Sequence, residues 1–160
     1  KRGKMFVGNG FDIHKHSKDK NLILGGINIE GDGFEAHSDG DIILHSLCDA
    51  LLGSKAKKDL GYYFPSNETT PKGISSVDML NKVLEIIEID KLKINNIDIT
   101  VLSQVINISK ISNSICSNLA NLLNIDKNVI NVKGKSFDHL GVIGDGTASA
   151  CMALVSVENA

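Results

Sequence analysis

The chain has 160 residues, of which 42% are hydrophobic and 22% are charged, so it is long enough to bury one hydrophobic core. Its formal net charge of -2 gives no general attraction for nucleic acid or for an anionic membrane surface. No apolar run approaches the roughly 18 residues of a membrane-spanning helix, and three widely separated cysteines do not suggest a disulfide framework. We therefore expect a single domain over residues 5–160, with no nucleic-acid or membrane partner. Residues 1–4 are expected to be a leader remnant or residues left from cloning.

The N-terminal segment predicts a strand that carries two candidate ligands. Met5 to Val7 is typical of a short buried strand, and Gly8-Asn9-Gly10 after it predicts a close approach to another element. Side chains alternate along an extended chain, so Asp12 and His14 lie on the same face. His16 shows no partner in the sequence and is expected at the surface.

A helix is predicted to follow. Ser38 and Asp41 have the spacing of a capping box, and apolar residues continue at helical spacing until about Gly53. On this helix Asp41, His45 and Asp49 recur every four residues and form one stripe. This stripe of carboxylate, imidazole and carboxylate is the first candidate for chemistry.

The other predicted elements are strands and helices in alternation. In chain order they are a hairpin around Gly25-Gly26, a loop from about Lys55 to Ile74, a helix from Ser75 to Ile87, a strand from Ile97 towards Gln104, a helix from about Ser112 to Leu123, and strands at Val129 to Val132 and Ala148 to Val157. This order predicts an α+β or α/β sandwich in two layers, with the helices on one face of the sheet. The opposite face would be covered most simply by other copies of the chain.

Three residues from the first strand and the first helix could hold a metal ion. Carboxylate and imidazole are normal zinc ligands, and catalytic zinc sites use three protein ligands with one open position. Asp12, His14 and His45 offer such a set. A single histidine is more often an ordinary hydrogen-bonded or solvated side chain than a metal ligand, and a D-x-H sequence recurs by chance. The combination of D-x-H at a strand end with a histidine on a helix face flanked by carboxylates favours the metal site.

Other polar segments have both a binding and an ordinary interpretation. His37-Ser38 lies at the predicted helix N-terminus, where free N–H groups favour a phosphate, although Ser38 could simply cap the helix. Asp49 and Asp59 could accept hydrogen bonds from substrate hydroxyls or be solvated. The segment from Lys133 to Asp138 could bind phosphate and a divalent cation or form a polar turn.

Several of these segments match the motifs of one enzyme family. They are Gly8-Asn9-Gly10-Phe11-Asp12-Ile13-His14, Ala36-His37-Ser38-Asp39-Gly40-Asp41, His45, Asp49-Ala50-Leu51-Leu52-Gly53, Asp59-Leu60-Gly61 with Phe64-Pro65, Lys72-Gly73, Asn96-Ile97-Asp98-Ile99-Thr100 and Asn131-Val132-Lys133. With these motifs the chain resembles, almost end to end, the 2-C-methyl-D-erythritol 2,4-cyclodiphosphate synthase family of non-mevalonate isoprenoid biosynthesis.

The resemblance implies an α+β fold: a two-layer sandwich with a mixed β-sheet, helices on one face, and sheets packed around the axis of a homotrimer with active sites between subunits. It implies zinc held by Asp12, His14 and His45, and a second divalent ion, Mg²⁺ or Mn²⁺, at Asp138. The implied substrate is 4-diphosphocytidyl-2-C-methyl-D-erythritol 2-phosphate, whose 2-phosphate would attack the β-phosphorus, release CMP and give the cyclic diphosphate. In that reaction the protein acts through metal ions and positioning and supplies no nucleophile.

The resemblance also implies a role for each site residue. His37 and Ser136 would be catalytic residues near the transferred phosphate. The substrate-binding residues would be His37, Ser38, Asp49, Asp59, Leu60, Gly61, Phe64, Pro65 and Ser66. The nucleotide-binding residues would be Ser103, Gln104, Val105, Ile106, Asn107, Ile108, Ser109, Gly134, Lys135 and Ser136.

The chain departs from the family at a few positions. Ile106-Asn107 stands where Pro-Lys is usual, and Lys135, in place of a common threonine, could restore the missing charge. Asp138 replaces a glutamate. Val142 and Asp145 lie in the segment associated with the subunit axis, and Asp145 replaces a usual arginine, so ligand binding in a central cavity is not carried over to this chain.

Two other functions share the metal ligands. One is a metal-dependent phosphoester hydrolase, which would activate water on zinc. The other is a non-catalytic trimeric zinc module, for which a fourth protein ligand would be expected.

The expected location rests on composition. The abundance of lysine and asparagine and the basic start without methionine favour a plastid protein of the apicoplast or chloroplast type after leader removal. A bacterial cytoplasmic protein is the alternative.

Overall fold

The computed structural model describes residues 3–160, so residues 1 and 2 of the expected leader remnant lie outside the described range. Within that range the strands are β1 (Met5–Leu24), β2 (Ile27–Phe34), β3 (Leu92–Leu102), β4 (Ile130–Lys135) and β5 (Ala148–Asn159). The helices are α1 (Ile42–Ser54), α2 (Leu60–Tyr63), α3 (Ser76–Ile86), α4 (Ser112–Leu123) and α5 (Gly141–Gly144). Short 3-10 turns lie at Ile89–Lys91, Ile108–Lys110 and Lys127–Val129. None of these described helices is long and apolar enough to cross a membrane.

The described strands form a mixed sheet in the order β2-β1-β5-β3-β4. β3 and β4 are parallel, whereas every other neighbouring pair is antiparallel. A parallel pair needs a crossover connection, and here α4 supplies it. α1 and α4 pack against the sheet, and α3 packs on α1. The predicted α+β fold with a mixed sheet is therefore confirmed.

α1 lies at the centre of the core. It packs against β1 and β5 on one side and against α3 on the other, and every residue except Asp49 and Gly53 is buried. This burial explains why the helix is apolar nearly all round and not only along one stripe.

β1 is much longer than predicted, because Gly8 and Gly10 continue the strand and do not end it. A Cβ atom at Gly8 would lie 1.9 Å from the carbonyl oxygen of Ala50, and one at Gly10 would lie 1.9 Å from that of Ser46. The two glycines therefore mark a close approach, as predicted, but within the strand. The first residues of β1 are exposed or half-buried, contrary to the prediction of a buried strand.

Asp41, not Ser38, is the N-cap of α1, so the predicted helix start is wrong. The Asp41 carboxylate accepts the N–H of Leu44 at 3.0 Å and those of Gly25 and Gly26, in the β1–β2 turn, at 3.0 and 2.7 Å. Two carboxylate oxygens can serve the helix and the hairpin together, which one hydroxyl cannot. Complete burial raises the pKa of Asp41 to about 6 although these amides favour its charged form.

The segment from 55 to 74 is not all loop, because α2 interrupts it. The backbone N–H of Leu60 donates to Asp49 Oδ1 at 2.7 Å, so a side chain of α1 fixes the first turn of α2. A helix of four residues has no periodic signal in the sequence. α3 and α4 match their predictions closely, and the Ser75 hydroxyl caps α3 by accepting the N–H of Val77.

The face of the sheet opposite the helices is exposed and apolar. Six hydrophobic residues of β1 and β5 on this face are 43–61% exposed: Met5, Val7, Phe11, Ile13, Met152 and Leu154. A contiguous apolar patch of this kind is typical of a surface that contacts another chain.

Candidate active site

Three side chains with ligand atoms meet where β1 passes under α1. Asp12 Oδ2 lies 2.9 Å from His14 Nε2 and 3.0 Å from His45 Nδ1, and the two ring nitrogens are 3.4 Å apart. Asp12 and His14 share a face of β1 because side chains alternate along a strand, and His45 comes from α1. The structure thus brings together the residues that were predicted as zinc ligands.

This cluster fits a three-ligand metal centre. In a tetrahedral zinc site with bonds of 2.0–2.1 Å, neighbouring ligand atoms are about 3.3 Å apart, close to the separations in the cluster. All the candidate ligand atoms lie within 4.8 Å of one another. One carboxylate and two imidazoles leave a fourth position for a substrate oxygen.

Asp12 and His45 shift each other's pKa values. Burial raises the pKa of Asp12, but hydrogen bonds and charges from His14 and His45 outweigh it and lower that pKa to about 2. Burial lowers the pKa of His45, but the hydrogen bond and charge of Asp12, helped by Asp41 and Asp39, raise it overall. The cluster therefore favours a shared positive charge between its ligand atoms, which a proton or a metal cation can supply.

The cluster lines a cavity of about 230 Å³. Most of the predicted substrate-binding residues line the same cavity: His37, Ser38, Asp49, Leu60, Gly61, Phe64 and Ser66. Asp59 and Pro65 do not line it: Asp59, the N-cap residue of α2, lines a neighbouring cavity with Asp49, and Pro65 follows the end of α2.

His37 and Ser38 do not lie at a helix N-terminus, contrary to the prediction. α1 starts later, and the Asp41 carboxylate occupies its first turn. His37 Nε2 donates to the carbonyl oxygen of Thr70 at 2.7 Å, and Ser38 Oγ lies 3.2 Å from His45 Nε2. A phosphate in the cavity would therefore meet these side chains and not the dipole of the helix.

Asp49 faces the cavity one turn of α1 beyond His45. Burial raises the pKa of Asp49, the hydrogen bond from Leu60 N–H opposes this, and the charges of Asp59 and Asp12 add to the rise. Its Oδ1 is occupied by Leu60. Asp49 thus both faces the cavity and anchors α2 beside it.

All the residues predicted to bind the nucleotide line a second cavity, of about 360 Å³, at the ends of β3 and β4. They are residues 103–109 and 134–136. The Ser103 N–H donates to the carbonyl oxygen of Lys135 at 3.0 Å, which joins the two segments. The two cavities share no lining residue, so His37 and Ser136, predicted to act together, lie in different cavities of one chain.

The other predicted residues lie outside both cavities. Asp138 is exposed, with a φ of 50°, and the Asp12 cluster is the one group of three metal-type ligands within residues 3–160. Val142 is 54% exposed on α5. Asp145 accepts the N–H of Thr147 at 2.8 Å, and hydrogen bonds from Thr147 lower the pKa of Asp145.

Two residues that were not predicted as site residues support His45: Ser76 contacts its ring, and Asp39 contacts Ser76. His45 Nε2, on the far side of the ring from Asp12, lies 2.9 Å from Ser76 Oγ. The Ser76 hydroxyl donates to Asp39 Oδ1, and the Ser76 N–H donates to Asp39 Oδ2 at 2.9 Å. Such outer contacts orient histidines that bind metals. The sequence shows only that two serines, Ser75 and Ser76, stand at the predicted start of a helix. It does not show which of them caps the helix and which contacts His45.

The fold and the cluster together define an α+β protein with a candidate Asp-His-His metal centre. The model of the YgbB family matches residues 5–158. The chain is 43% identical over 155 residues to 2-C-methyl-D-erythritol 2,4-cyclodiphosphate synthase of Wigglesworthia glossinidia brevipalpis, covering 94% of this chain and 98% of that protein. It is 38% identical over 152 residues to the enzyme of the same name from Halothermothrix orenii, covering 94% of this chain and 92% of that protein. A solved structure of IspF from Plasmodium falciparum in a CDP complex is 38% identical, with a TM-score of 0.85 and 99% of each chain covered. The chain therefore belongs to the YgbB family of 2-C-methyl-D-erythritol 2,4-cyclodiphosphate synthases.

The prediction of a plastid protein is wrong. The curated relatives that match at 36–43% identity over most of the chain are bacterial enzymes, and they support the bacterial alternative. The prediction relied on lysine and asparagine content, which reflects the base composition of a genome and is not specific to a compartment.

Proposed function

We propose that this chain converts 4-diphosphocytidyl-2-C-methyl-D-erythritol 2-phosphate to 2-C-methyl-D-erythritol 2,4-cyclodiphosphate and CMP. One oxygen of the 2-phosphate forms a bond to the β-phosphorus, and the bond from the β-phosphorus to the CMP oxygen breaks. The observation that carries the proposal is the Asp12, His14 and His45 cluster in a cavity that is lined by most of the residues predicted to bind the substrate. Membership of the family names the substrate.

Asp12, His14 and His45 are proposed to hold zinc. The ion would supply a positive charge that stabilises a phosphate oxygen as charge develops in the transition state. His45 is oriented for this by Ser76, because a hydrogen bond at Nε2 leaves the lone pair of Nδ1 directed towards Asp12 and His14.

His37, Ser38 and Asp49 are proposed to position the methylerythritol phosphate. His37 is fixed by its bond to the Thr70 carbonyl, so its ring has one orientation relative to the metal cluster. Because attack is intramolecular, holding the 2-phosphate in line with the β-phosphorus removes much of the orientational entropy of the reaction.

Residues 103–109 and 134–136 are proposed to bind the cytidine and its phosphates. The support is their common cavity and the CDP complex of the related Plasmodium protein. Asp138 is proposed to hold Mg²⁺ or Mn²⁺. Such an ion commonly takes one or two carboxylates from the protein and completes its coordination with phosphate oxygens and water. This suits Asp138, which belongs to no group of three metal-type ligands within residues 3–160.

The active form is proposed to be a homotrimer, with each site shared between subunits. The exposed apolar face of β1 and β5 offers the surface for association. The site also needs a second chain, because His37 and Ser136 line different cavities of one chain although both are assigned to the transferred phosphate.

Turnover of the diphosphocytidyl substrate with zinc and magnesium tests the proposed function. The expected products are CMP and the cyclic diphosphate in equal amounts. A linear methylerythritol diphosphate would instead indicate the hydrolase, and binding without turnover would indicate the non-catalytic module.

The assignment of the ligands is tested by His45→Ala. We expect loss of one bound zinc per chain, measured by atomic absorption after dialysis, and turnover lower by several orders of magnitude. His139→Ala is the control, because His139 is exposed and lies outside the metal cluster. Full zinc content in the His45 variant would contradict the assignment.

A further inference from the structure

His16 is not the isolated surface residue that the sequence predicted. It is half-buried on β1, and its ring stacks on Phe34 with the ring centres 4.5 Å apart. Its Nδ1 lies 3.1 Å from the carbonyl oxygen of Asp32 and 3.2 Å from that of Gly33. Its Nε2 lies 2.7 Å from the hydroxyl of Ser149 on β5. Both ring nitrogens therefore have protein partners.

The contacts of Nδ1 define the role of Nε2. Backbone carbonyls only accept hydrogen bonds, so Nδ1 carries the ring hydrogen in the neutral imidazole. Nε2 then has no hydrogen and lies beside the hydroxyl of Ser149. Ser149 is completely buried. A buried hydroxyl needs hydrogen-bond partners, and His16 is one of the two side-chain partners of Ser149 Oγ.

The chain of hydrogen bonds continues to the second cavity. Ser149 Oγ lies 2.7 Å from Ser103 Oγ, which is also buried. Ser103 Oγ in turn accepts the N–H groups of Val105 at 3.2 Å and Ile106 at 3.0 Å. The buried hydroxyl of Ser103 therefore sets the turn at the start of residues 103–109.

The register of the sheet brings His16, Ser149 and Ser103 close enough to form these hydrogen bonds. His14 pairs with Ser149, and Leu102 pairs with Ala150, so β1, β5 and the end of β3 are adjacent at this level. His16 lies two residues beyond His14 and thus on the same face of β1. The hydrogen-bond chain crosses three neighbouring strands and ends under the 103–109 segment.

We propose that His16 and Ser149 are positioning residues that hold the 103–109 segment in its nucleotide-binding conformation through Ser103. The inference rests on the proposed nucleotide-binding role of this segment. Neither His16 nor Ser149 lines the second cavity. His16 also lines a separate cavity with Val105 and Ile106, so Ser149→Ala is the variant that isolates the route through Ser103.

The test compares variants that remove a hydrogen bond of the His16–Ser149–Ser103 series with variants that leave all of these bonds in place. His16→Phe keeps an aromatic ring on Phe34 but removes both nitrogens, and Ser149→Ala removes the hydroxyl. His16→Gln is the conservative variant, because its amide can reach the position of Nε2. Ser54→Ala is the matched control, since it removes another buried serine hydroxyl, which donates to Leu51 at the end of α1.

We expect the dissociation constant for CDP, measured by calorimetry on the full chain, to rise about five- to tenfold in His16→Phe and in Ser149→Ala. The double variant that combines His16→Phe with Ser149→Ala should bind CDP no more weakly than Ser149→Ala alone, because both changes interrupt the same series of hydrogen bonds. His16→Gln and Ser54→Ala should bind CDP like the unmodified protein, and zinc content should not change in any of the four single variants.

Hydrogen exchange of the 103–109 peptide provides a readout that needs no nucleotide. Its amides should exchange faster in His16→Phe and Ser149→Ala than in the unmodified protein. If exchange and CDP affinity are both unchanged in these variants, the inference is wrong. If the unmodified protein does not bind CDP, the proposed nucleotide-binding role is wrong. The exchange rates then still decide whether His16 and Ser149 hold the 103–109 segment in place.

Discussion

His45 contacts polar groups on both edges of its ring. Asp12 and His14 lie at Nδ1, and Ser76 lies at Nε2 with Asp39 behind it. This arrangement fixes the ring before any ion binds, which lowers the entropy that metal binding must overcome. The side chains that contact His45 are therefore expected to affect how tightly the site binds an ion.

The first prediction at this scale concerns the two adjacent serines before and in α3. Ser76→Ala should weaken zinc binding about 10- to 100-fold, because it removes the contact that orients His45. Ser75→Ala removes the helix cap and should lower the free energy of unfolding by about 1 kcal/mol without changing zinc affinity. Chelator competition and urea unfolding of both variants measure the two effects. Equal zinc affinity in the two variants would show that Ser76 has no such role.

The second residue-scale prediction is a dependence of stability on pH in the metal-free protein. The pKa of His45 is raised in the folded state, so its pairing with Asp12 stabilises the fold below about pH 6.5, the ordinary histidine value, and this stabilisation is lost as pH rises through the raised pKa. Asp12, with its pKa lowered to about 2, contributes stability above about pH 4 that is lost as pH falls towards 2.

Thermal unfolding in the presence of a chelator checks this prediction. The melting temperature should be lower at pH 8.5 than at pH 6. The difference should shrink in His45→Gln, which cannot be charged. A difference that persists unchanged in His45→Gln would assign it to other groups.

At the scale of elements, the contact between β1 and α1 builds the metal cluster. Asp12 and His14 lie on β1 and His45 on α1, so the distance between the strand and the helix sets the separation of the ligand atoms. Gly8 and Gly10 permit that distance because a side chain at either would meet the helix backbone.

Gly10→Ala should therefore destabilise the protein by about 1–3 kcal/mol or more, and weaken zinc binding, because it pushes α1 away from β1. Gly53→Ala is the matched control: its Cβ would have no neighbour closer than 3.8 Å, and a glycine in a helix costs up to about 1 kcal/mol relative to alanine. We expect this control to be neutral or stabilising. Urea unfolding and zinc titration measure both variants, and a neutral Gly10→Ala would refute the role of the contact.

At the scale of the whole molecule, one chain exposes an apolar face and divides the proposed active site between two cavities. Association through that face would account for both features. It would bury the apolar patch, and it could bring the second cavity of one chain to the metal cluster of another.

Met152→Glu should convert the proposed trimer to monomer. It places a negative charge on the apolar face of every subunit, and association would have to bury these charges without a partner. Asn121→Glu adds the same charge on α4, on the helical side of the sheet, and should leave the trimer intact. Sedimentation velocity distinguishes the two states. A trimeric Met152→Glu would mean that another surface mediates association.

Much of the fold and the metal cluster could be predicted from the sequence. The periodicity of α3 and α4, the hairpin glycines and the D-x-H spacing are local signals, and the strand face shared by Asp12 and His14 follows from backbone geometry. The family motifs supplied the cavity residues. α2 could not be predicted, because a bond from Asp49 and not its own periodicity positions it.

The sequence by itself determined the α+β class, the three candidate ligands and the family. The tertiary structure alone decided that Asp41 caps α1 and binds the hairpin, that Ser76 and Asp39 support His45, and that His16 reaches the 103–109 segment through Ser149. Apart from the local cap bond to Leu44, these contacts join residues 15 to 133 positions apart, and each depends on which buried polar atoms need a partner after the strands and helices have packed. No local pattern encodes that requirement, because it arises only when water has been excluded.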